Sequence, residues 1–149
     1  MNTVKAELLT IGDEILYGQI VDTNSQWMGV ELASIGVQVI RKTTVGDKES
    51  EILTAFAEAE SRADVVLITG GLGPTSDDLT KPCLARYFDC EIRIHPEALE
   101  EVTAFFKQRG RALTELNRQQ AALPVCCQKL TNPVGTAPGM WFERNGKVF

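Results

Sequence analysis

An α/β fold built on a mostly parallel, doubly wound sheet is predicted by three observations in the sequence. Asp64-Val65-Val66-Leu67-Ile68-Thr69 is a short, unbroken, β-branched run that ends on two glycines, the pattern of a strand buried on both faces of a parallel sheet. Strand-like and helix-like segments alternate up to it in the order βαβαβ, and right-handed crossovers turn that order into an open sheet covered by helices. The 149 residues are 44% apolar and 23% charged, the balance of one globular domain with a full core.

The elements follow in order. Residues 4–11 mix apolar side chains with Lys5 and Glu7 and read as the first strand, running into a turn at Gly12-Asp13-Glu14. Asp22-Thr23-Asn24-Ser25 offers helix N-caps, Met28, Leu32 and Ile35 follow at helical spacing, and Gly36 closes the helix. Trp27 and Met28 read as core. Val37-Gln38-Val39-Ile40 is the second strand, and Ile52, Phe56, Ala59 and Ala63 mark one face of the next helix. After the third strand, a helix starting near Ser76 or Asp77 carries Leu79, Cys83, Leu84 and Tyr87 on one face. Pro96 opens another, with Leu99, Val102 and Phe106 inward and His95 as a surface or cap residue. A short helix is expected over residues 113–122, and residues 140–149 read as a C-terminal β-hairpin about Asn145-Gly146. Because the last residue, Phe149, falls inside an apparent strand, the chain reads as truncated at that end.

Composition excludes several classes. The net charge is −5, and the only basic clusters are Arg41-Lys42 and Arg109 with Arg111. A nucleic-acid partner is therefore not expected, since phosphate neutralisation needs a basic face. No apolar run approaches membrane-spanning length and the start of the chain, from Met1 and Asn2 on, has no leader-like pattern, so a cytoplasmic protein with no membrane partner is expected. Cys83, Cys90, Cys126 and Cys127 contain no Cys-x-x-Cys pair and read as reduced, structural thiols. With His95 the only histidine, a zinc site and a Cys-His nucleophile are both disfavoured.

The strongest chemical signal is the loop Gly70-Gly71-Leu72-Gly73-Pro74-Thr75-Ser76-Asp77-Asp78. A strand delivers it, glycines let a ligand approach the backbone, and the N–H groups of a following helix favour an anion. It is not a P-loop, because no Gly-Lys-Ser/Thr follows, and it lies after the third strand rather than the first, unlike a dinucleotide fingerprint. Asp77 and Asp78 would repel a bare phosphate. Either a divalent cation bridges them to the ligand, or one caps the helix and the other accepts a hydroxyl. The turn at Gly12-Asp13-Glu14, with Gly18 and residues 22–25, can approach this loop from the neighbouring strand end, with Asp13 or Glu14 as metal ligand or base; a turn acid plus a helix cap is the alternative. Asp47, in the Val45-Gly46-Asp47 turn, is either a third carboxylate at that edge or the cap of the next helix. Asn117 and Gln120 share a helix face and can read a ribose or base edge, or cap a neighbouring segment. Asn132, Gly135 and Thr136 lie in a Pro- and Gly-rich loop, residues 132–139, that can present polar groups or simply hold an irregular path.

Taken together, these blocks resemble a known family. The run from Gly70 through Thr80, Gly12-Asp13-Glu14-Ile15-Leu16 with Gly18, Asp22-Thr23-Asn24-Ser25, Val45-Gly46-Asp47, Asn117-Arg118-Gln119-Gln120-Ala121 and residues 132–139 are similar, in order, to the signature of the CinA N-terminal domain. That domain belongs to the MoaB/MogA-like molybdopterin-binding superfamily. The resemblance covers essentially the whole chain and implies a three-layer α/β/α fold. It also implies a phosphorylated pterin or nucleotide bound above the Gly70 loop, metal-dependent ADP-ribose pyrophosphatase activity, and self-association as a dimer or trimer. In that mechanism Gly70, Gly71, Leu72, Gly73, Pro74, Thr75 and Ser76 form the phosphate- and ligand-binding loop, with backbone N–H groups from Gly71 to Thr75 holding phosphate. Asp77, Asp78 and Glu14 act in catalysis, Asp47 and Asp78 hold the divalent metal (Mg or a transition ion), and Asn24, Asn117, Gln120, Asn132, Gly135 and Thr136 contact the ligand. Two alternatives stand beside it: a molybdopterin-binding domain of cofactor biosynthesis, and a non-catalytic nucleotide-sensing or assembly module. Full-length relatives add a nicotinamide-nucleotide amidohydrolase domain that is absent from these residues. The chain departs from the family in ending before a Pro-Gly-Val-Pro-type loop and in carrying Cys126-Cys127 where relatives have small residues.

Overall fold

A computed structural model describes residues 3–149; Met1 and Asn2, which enter the reading of the chain start, lie outside the described residues. The contacts divide the chain into two compact units, the first reaching Gly71 and including Glu143–Phe149, the second spanning Leu72–Phe142.

The first unit is a mixed α/β layer structure. Its strands are β1 (Lys5–Ile11), β2 (Gln38–Val45), β3 (Val65–Thr69), β8 (Glu143–Arg144) and β9 (Lys147–Val148), and its helices α1 (Asp13–Leu16), α2 (Thr23–Ser34) and α3 (Glu49–Arg62). The sheet order is β2-β1-β3-β9-β8, with β1 parallel to both β2 and β3, β9 parallel to β3, and only β8 antiparallel. Side-chain alternation along β1 puts the two long helices on opposite faces. Leu8 Cδ1 faces Gly29 of α2, whereas Glu7, on the other face, meets Arg62 of α3. The Asn145-Gly146 hairpin forms as expected, both residues at positive φ of 53° and 73°. It is shorter than the sequence suggested, because Met140 and Trp141 belong to a different strand.

The second unit holds α4 (Thr80–Tyr87), β4 (Ile92–Ile94), α5 (Pro96–Gln108), α6 (Glu115–Arg118), a 3₁₀ turn (Gln119–Ala121), β5 (Ala122–Pro124), β6 (Gln128–Leu130) and β7 (Gly139–Trp141). Two antiparallel ribbons, β4-β5 and β6-β7, form its sheets. Ala98 and Val102 of α5 pack with Ala121 and Leu123, flanked by Leu99, Phe106 and Met140. Pro96 sits in the first turn of α5, and His95 caps it, Nδ1 accepting from the Ala98 N–H. Phe88 stacks on Phe142 with centroids 4.5 Å apart.

Five expectations are corrected. The strand buried on both faces is β1, buried from Ala6 to Ile11, because it lies between β2 and β3; in β3 only Val66 is buried. The Gly12-Asp13-Glu14 turn continues into α1. Helix α4 starts at Thr80, not at Ser76 or Asp77, because the Asp78 carboxylate folds back onto Thr75 instead of capping the helix. Trp27 is 65% and Ile35 74% exposed: α2 approaches the sheet through the buried Ser25 and through Gly29, which faces Leu8 of β1, small residues that bring the helix close and leave Trp27 outward. Finally, Cys90 and Cys126 are joined in a disulfide. The Val125 N–H donates to the Glu91 carbonyl at 2.8 Å, extending the β4-β5 ribbon until the flanking cysteines have Cα atoms 6.1 Å apart.

One structural device was invisible in the sequence. Glu7, wholly buried in β1, accepts both Arg62 Nε and Nη2, at 2.7 and 2.8 Å, and Thr43 Oγ1 at 2.7 Å. Burial pushes its carboxyl up, yet these hydrogen bonds and the guanidinium charge bring it below the ordinary glutamate value.

Candidate functional site

The first unit contains a cavity of about 220 Å³, lined by Thr10, Ile11, Glu14, Ile15, Ile20, Val21, Asp22, Thr23, Asn24, Thr69 and Gly70. It sits at the carboxyl ends of β1 and β3. From β1 the chain crosses to β2 on one side, and the next strand, β3, lies on the other side of β1. Such a reversal opens a crevice between strand ends, where open α/β sheets bind their ligands.

Each wall has a local cause. Gly70 leaves β3 at φ +91°, and a Cβ there would stand 1.9 Å from the Ile11 carbonyl oxygen. Only glycine lets the two strand ends pass so closely. Asp22 caps α2: its carboxylate accepts from the Ser25 N–H at 3.0 Å, from Ser25 Oγ, and from Thr10 Oγ1 at 2.7 Å. Burial pushes the Asp22 carboxyl up, but these bonds hold it below the ordinary aspartate value. Asp22 is therefore committed to positioning α2, whose first residues, Thr23 and Asn24, face the cavity. The start of this 12-residue helix presents the positive end of its dipole there. Asn24 Nδ2 meets Thr69 Oγ1 only at 3.5 Å, leaving its amide available to a ligand. Glu14 supplies the one carboxylate of the wall not already engaged as a cap. The cavity thus offers hydroxyls, an amide, a helix start and a carboxylate, a set suited to a hydroxyl- or N–H-bearing group beside an anion.

Asp13 and Asp47, in the same unit, pair reciprocally. The Asp13 N–H donates to Asp47 Oδ2 and the Asp47 N–H to Asp13 Oδ1, both at 3.1 Å. Asp47 thereby ties the β2 end to α1; the N-cap position of α3 is held by Lys48, with no side-chain cap, and not by Asp47.

In the second unit, residues 72–78 form a loop closed by Asp78. Its Oδ2 accepts the Thr75 N–H at 3.0 Å and Thr75 Oγ1 at 2.6 Å. A Cβ on Gly73 would lie 2.4 Å from that oxygen, so any larger residue there would push the carboxylate off Thr75. Burial raises the Asp78 carboxyl, but the Thr75 and Gly73 hydrogen bonds carry it below the ordinary value. Asp77, Thr75 and Ser76 are exposed, and Leu72 and Pro74 half-buried. Asn117 is half-buried in α6, its N–H bonded to the capping Thr114 Oγ1. Gln120 is buried, and its Oε1 has no hydrogen-bond partner. Asn132 bonds within its own loop, donating to the Ala137 carbonyl at 2.9 Å and accepting the Val134 N–H at 3.1 Å. The hollow it shares with Gly135 and Thr136 holds about 10 Å³, one water at most.

Sequence reasoning missed Lys81. It is 6% exposed, and Nζ donates to the Gln120 carbonyl at 2.8 Å. Burial lowers its pKa to about 8 against the opposing pull of Asp78. An isolated Lys following two aspartates reads as a surface residue, so no signal in the sequence marks it. Cys127, in no disulfide, has its thiol pushed up by burial, which suits a packing residue rather than a nucleophile.

Among the described residues, no three His, Cys, Asp or Glu side chains converge as a metal set. What is present are carboxylates with one oxygen already bonded: Asp13 and Asp47 as a pair in the first unit and, separately, Asp78 in the second. Mg²⁺ commonly takes one or two carboxylates and completes its shell from substrate phosphates, a mode that either set fits by itself. No helix among the described residues is long and apolar enough to cross a membrane.

The family model described as "Probable molybdopterin binding domain" matches residues 7–149. The chain belongs to this family. Within it the CinA-like branch is the relevant one: a CinA-like protein of Cytophaga hutchinsonii is 51% identical over 150 residues, covering 100% of this chain and 36% of the relative. The chain therefore spans about a third of the length of that curated relative. The crystal structure of a CinA protein of unknown function from Thermoplasma acidophilum superposes with a TM-score of 0.86 at 39% identity, covering 99% of this chain and 86% of that one. The tungsten-cofactor-synthesizing MoaB of Pyrococcus furiosus matches at a TM-score of 0.60 and 20% identity, covering 99% and 79% of the two chains, and shares the fold. This CinA-like domain thus carries its switch-point cavity on a MoaB/MogA-type sheet.

Proposed function

We propose that this CinA-like domain binds a phosphorylated nucleotide or pterin, with the sugar or ring edge in the cavity at the ends of β1 and β3. The observation that carries the reading is the cavity itself: a polar crevice at the strand-order reversal, walled by Glu14, Asn24, Thr69 and the start of α2. Its volume of about 220 Å³ admits part of such a ligand, the size of a sugar or one pterin ring. Glu14 accepts from a hydroxyl or ring N–H, Asn24 donates to a ligand oxygen, and the α2 start favours negative charge.

The activity proposed for this ligand is hydrolysis of the diphosphate of ADP-ribose or a similar nucleotide with a divalent ion. When bound, that ion lowers the pKa of the attacking water and stabilises charge on phosphate. Of the chain's residues, Asp47 in the first unit and Asp78 in the second are each proposed as a metal carboxylate, and Glu14 in the first unit and Asp77 in the second each as an acid-base group, while Gly70 and Gly71 give the phosphate access to backbone. Self-association and a cytoplasmic setting belong to the same proposal. The family description favours a second reading, binding of molybdopterin without turnover.

The test is ADP-ribose turnover and molybdopterin affinity measured side by side, with and without added Mg²⁺ or Co²⁺. Metal-dependent turnover that falls at least a hundredfold in Asp78→Ala supports hydrolysis. Tight pterin binding with no turnover replaces it with the second reading, and binding of neither ligand overturns both.

A further inference from the structure

The four cysteines, all in the second unit, divide by exposure. Cys83 is buried and Cys127 half-buried, and both are free thiols; Cys126 is exposed and Cys90 half-buried, and these two are bridged. Each end of the bridge holds a different piece of backbone. Cys90 completes the C-terminal closure of α4. Its N–H donates to the Ala85 carbonyl at 2.9 Å, and the Asp89 N–H donates to the Arg86 carbonyl at 3.2 Å. This pair of bonds is a Schellman closure, which needs a left-handed residue after the helix, most often glycine. Here that residue is Asp89, at φ 52°, a conformation less favourable for aspartate than for glycine. Cys126 follows β5, just beyond the Val125 N–H that donates to the Glu91 carbonyl. The bridge therefore fastens the left-handed end of α4 to the open end of the β4-β5 ribbon. It also closes a loop of chain that contains β4, α5, α6 and β5.

We propose that Cys90–Cys126 is a reversible redox clasp: a low-molecular-weight thiol attacks the exposed Cys126, opens the bond and frees the end of α4, and the disulfide form of the same thiol closes it again. The exchange balances in two steps. The incoming thiolate bonds to Cys126 Sγ, the bond between the two cysteines breaks, and Cys90 leaves as a thiolate that takes up a proton. A second thiolate then attacks the incoming sulfur of the mixed disulfide and releases Cys126, which is protonated in turn. Two small thiols become one disulfide, and the protein bond becomes two thiols. Exchange needs access to sulfur, so exposure directs the attack to Cys126. Cys127, next in the chain, does not compete. It packs against Ala98, Val102, Ala121 and Leu123, and burial pushes its thiol up, so little thiolate is present. At the other end of α4, Lys81 Nζ stays on the Gln120 carbonyl at 2.8 Å. Opening the clasp therefore frays the last turn of α4 and does not detach the helix.

The experiment equilibrates the 149-residue chain with mixtures of reduced and oxidised glutathione, then alkylates free thiols and maps them by mass spectrometry. The expected result is a Cys90–Cys126 link in oxidising mixtures, two free thiols in reducing ones, and a trapped glutathione adduct on Cys126. Reduction should lower the melting temperature by about 10 °C, because it releases a closed loop between residues 36 apart. Amide resonances of Asp89, Cys90 and Val125 should move between the two states, with Leu9 of β1 unmoved. These comparisons use the wild-type chain alone. The double variant Cys90→Ser/Cys126→Ser should melt like the reduced wild type at every glutathione ratio. Free thiols at Cys90 and Cys126 in oxidised glutathione overturn the proposal. A bridge that survives reduced glutathione also overturns it, leaving a permanent staple, as does one melting temperature for both states. A glutathione adduct on Cys90 or Cys127 in place of Cys126 overturns the assignment of the attacked sulfur.

Discussion

Two parts of this chain look alike in sequence and differ in what they can do. The strand-end segments of the first unit and residues 132–139 of the second both combine glycines, an asparagine and at least one threonine. At the strand ends, Gly70 passes beside the Ile11 carbonyl, and Asn24 makes only a 3.5 Å contact, so its amide faces a cavity of about 220 Å³. In the second unit, Asn132 uses its amide and its carbonyl to close its own loop around about 10 Å³. Composition therefore does not separate a loop whose polar groups face a cavity from one whose polar groups bond to each other. The location of each polar group's hydrogen-bond partner does.

The largest effect expected on this contrast is from Gly70→Ala. A methyl group at positive φ, against a backbone oxygen, costs about 2 kcal/mol or more; thermal denaturation should show a loss of this size, and a wild-type melting temperature would break the account of the crevice. Asn24→Ala comes next. It should leave the melting temperature unchanged and weaken ADP-ribose binding about tenfold, about 1.4 kcal/mol, by calorimetry. Asn132→Ala should show the opposite: unchanged affinity, and stability reduced by about 1 kcal/mol through two lost loop hydrogen bonds. If Asn132→Ala weakened binding while Asn24→Ala lowered the melting temperature, the two loops would have to exchange roles.

The smallest effect is a pH dependence at the second unit's Asp78. Its folded-state carboxyl lies below the ordinary value, so its stabilisation is complete above an unfolded pKa of about 4 and disappears as the pH falls through the folded value. Melting curves of wild type and Asp78→Asn should therefore differ at pH 7 and converge as the pH falls through the folded-state value of Asp78. Parallel curves over that range would show that Asp78 does not close its loop as a carboxylate.

How much of this was legible follows the same division between local and non-local causes. Helix α5 announced itself through Pro96, the spacing of Leu99, Val102 and Phe106, and a capping His95, all local. The Asn145-Gly146 hairpin and the Gly70 strand end were legible because turn residues are dictated by their own φ. The meeting of residues 22–24 with the end of β3 followed from βαβ topology. The rest depends on partners distant in sequence. Glu7 showed only as a charged position within the first strand, because its partner Arg62 lies 55 positions away. Cys90 and Cys126 are 36 apart and meet only through the β4-β5 ribbon. Trp27 looked like core because size was taken for burial, whereas α2 approaches the sheet through Ser25 and Gly29. The Asp77-Asp78 pair was open to a bridging cation or to a helix cap, and in the fold Asp78 caps no helix but holds Thr75, three residues earlier.

The central claim, that the ligand seat is the crevice at the β1 and β3 ends, is tested most directly by titrating the isotope-labelled chain with ADP-ribose and mapping amide shifts. The account predicts the largest changes at Thr10, Glu14, Asn24, Thr69 and Gly70, with residues 132–139 unmoved. Shifts concentrated in residues 132–139, with the strand-end amides silent, would contradict it.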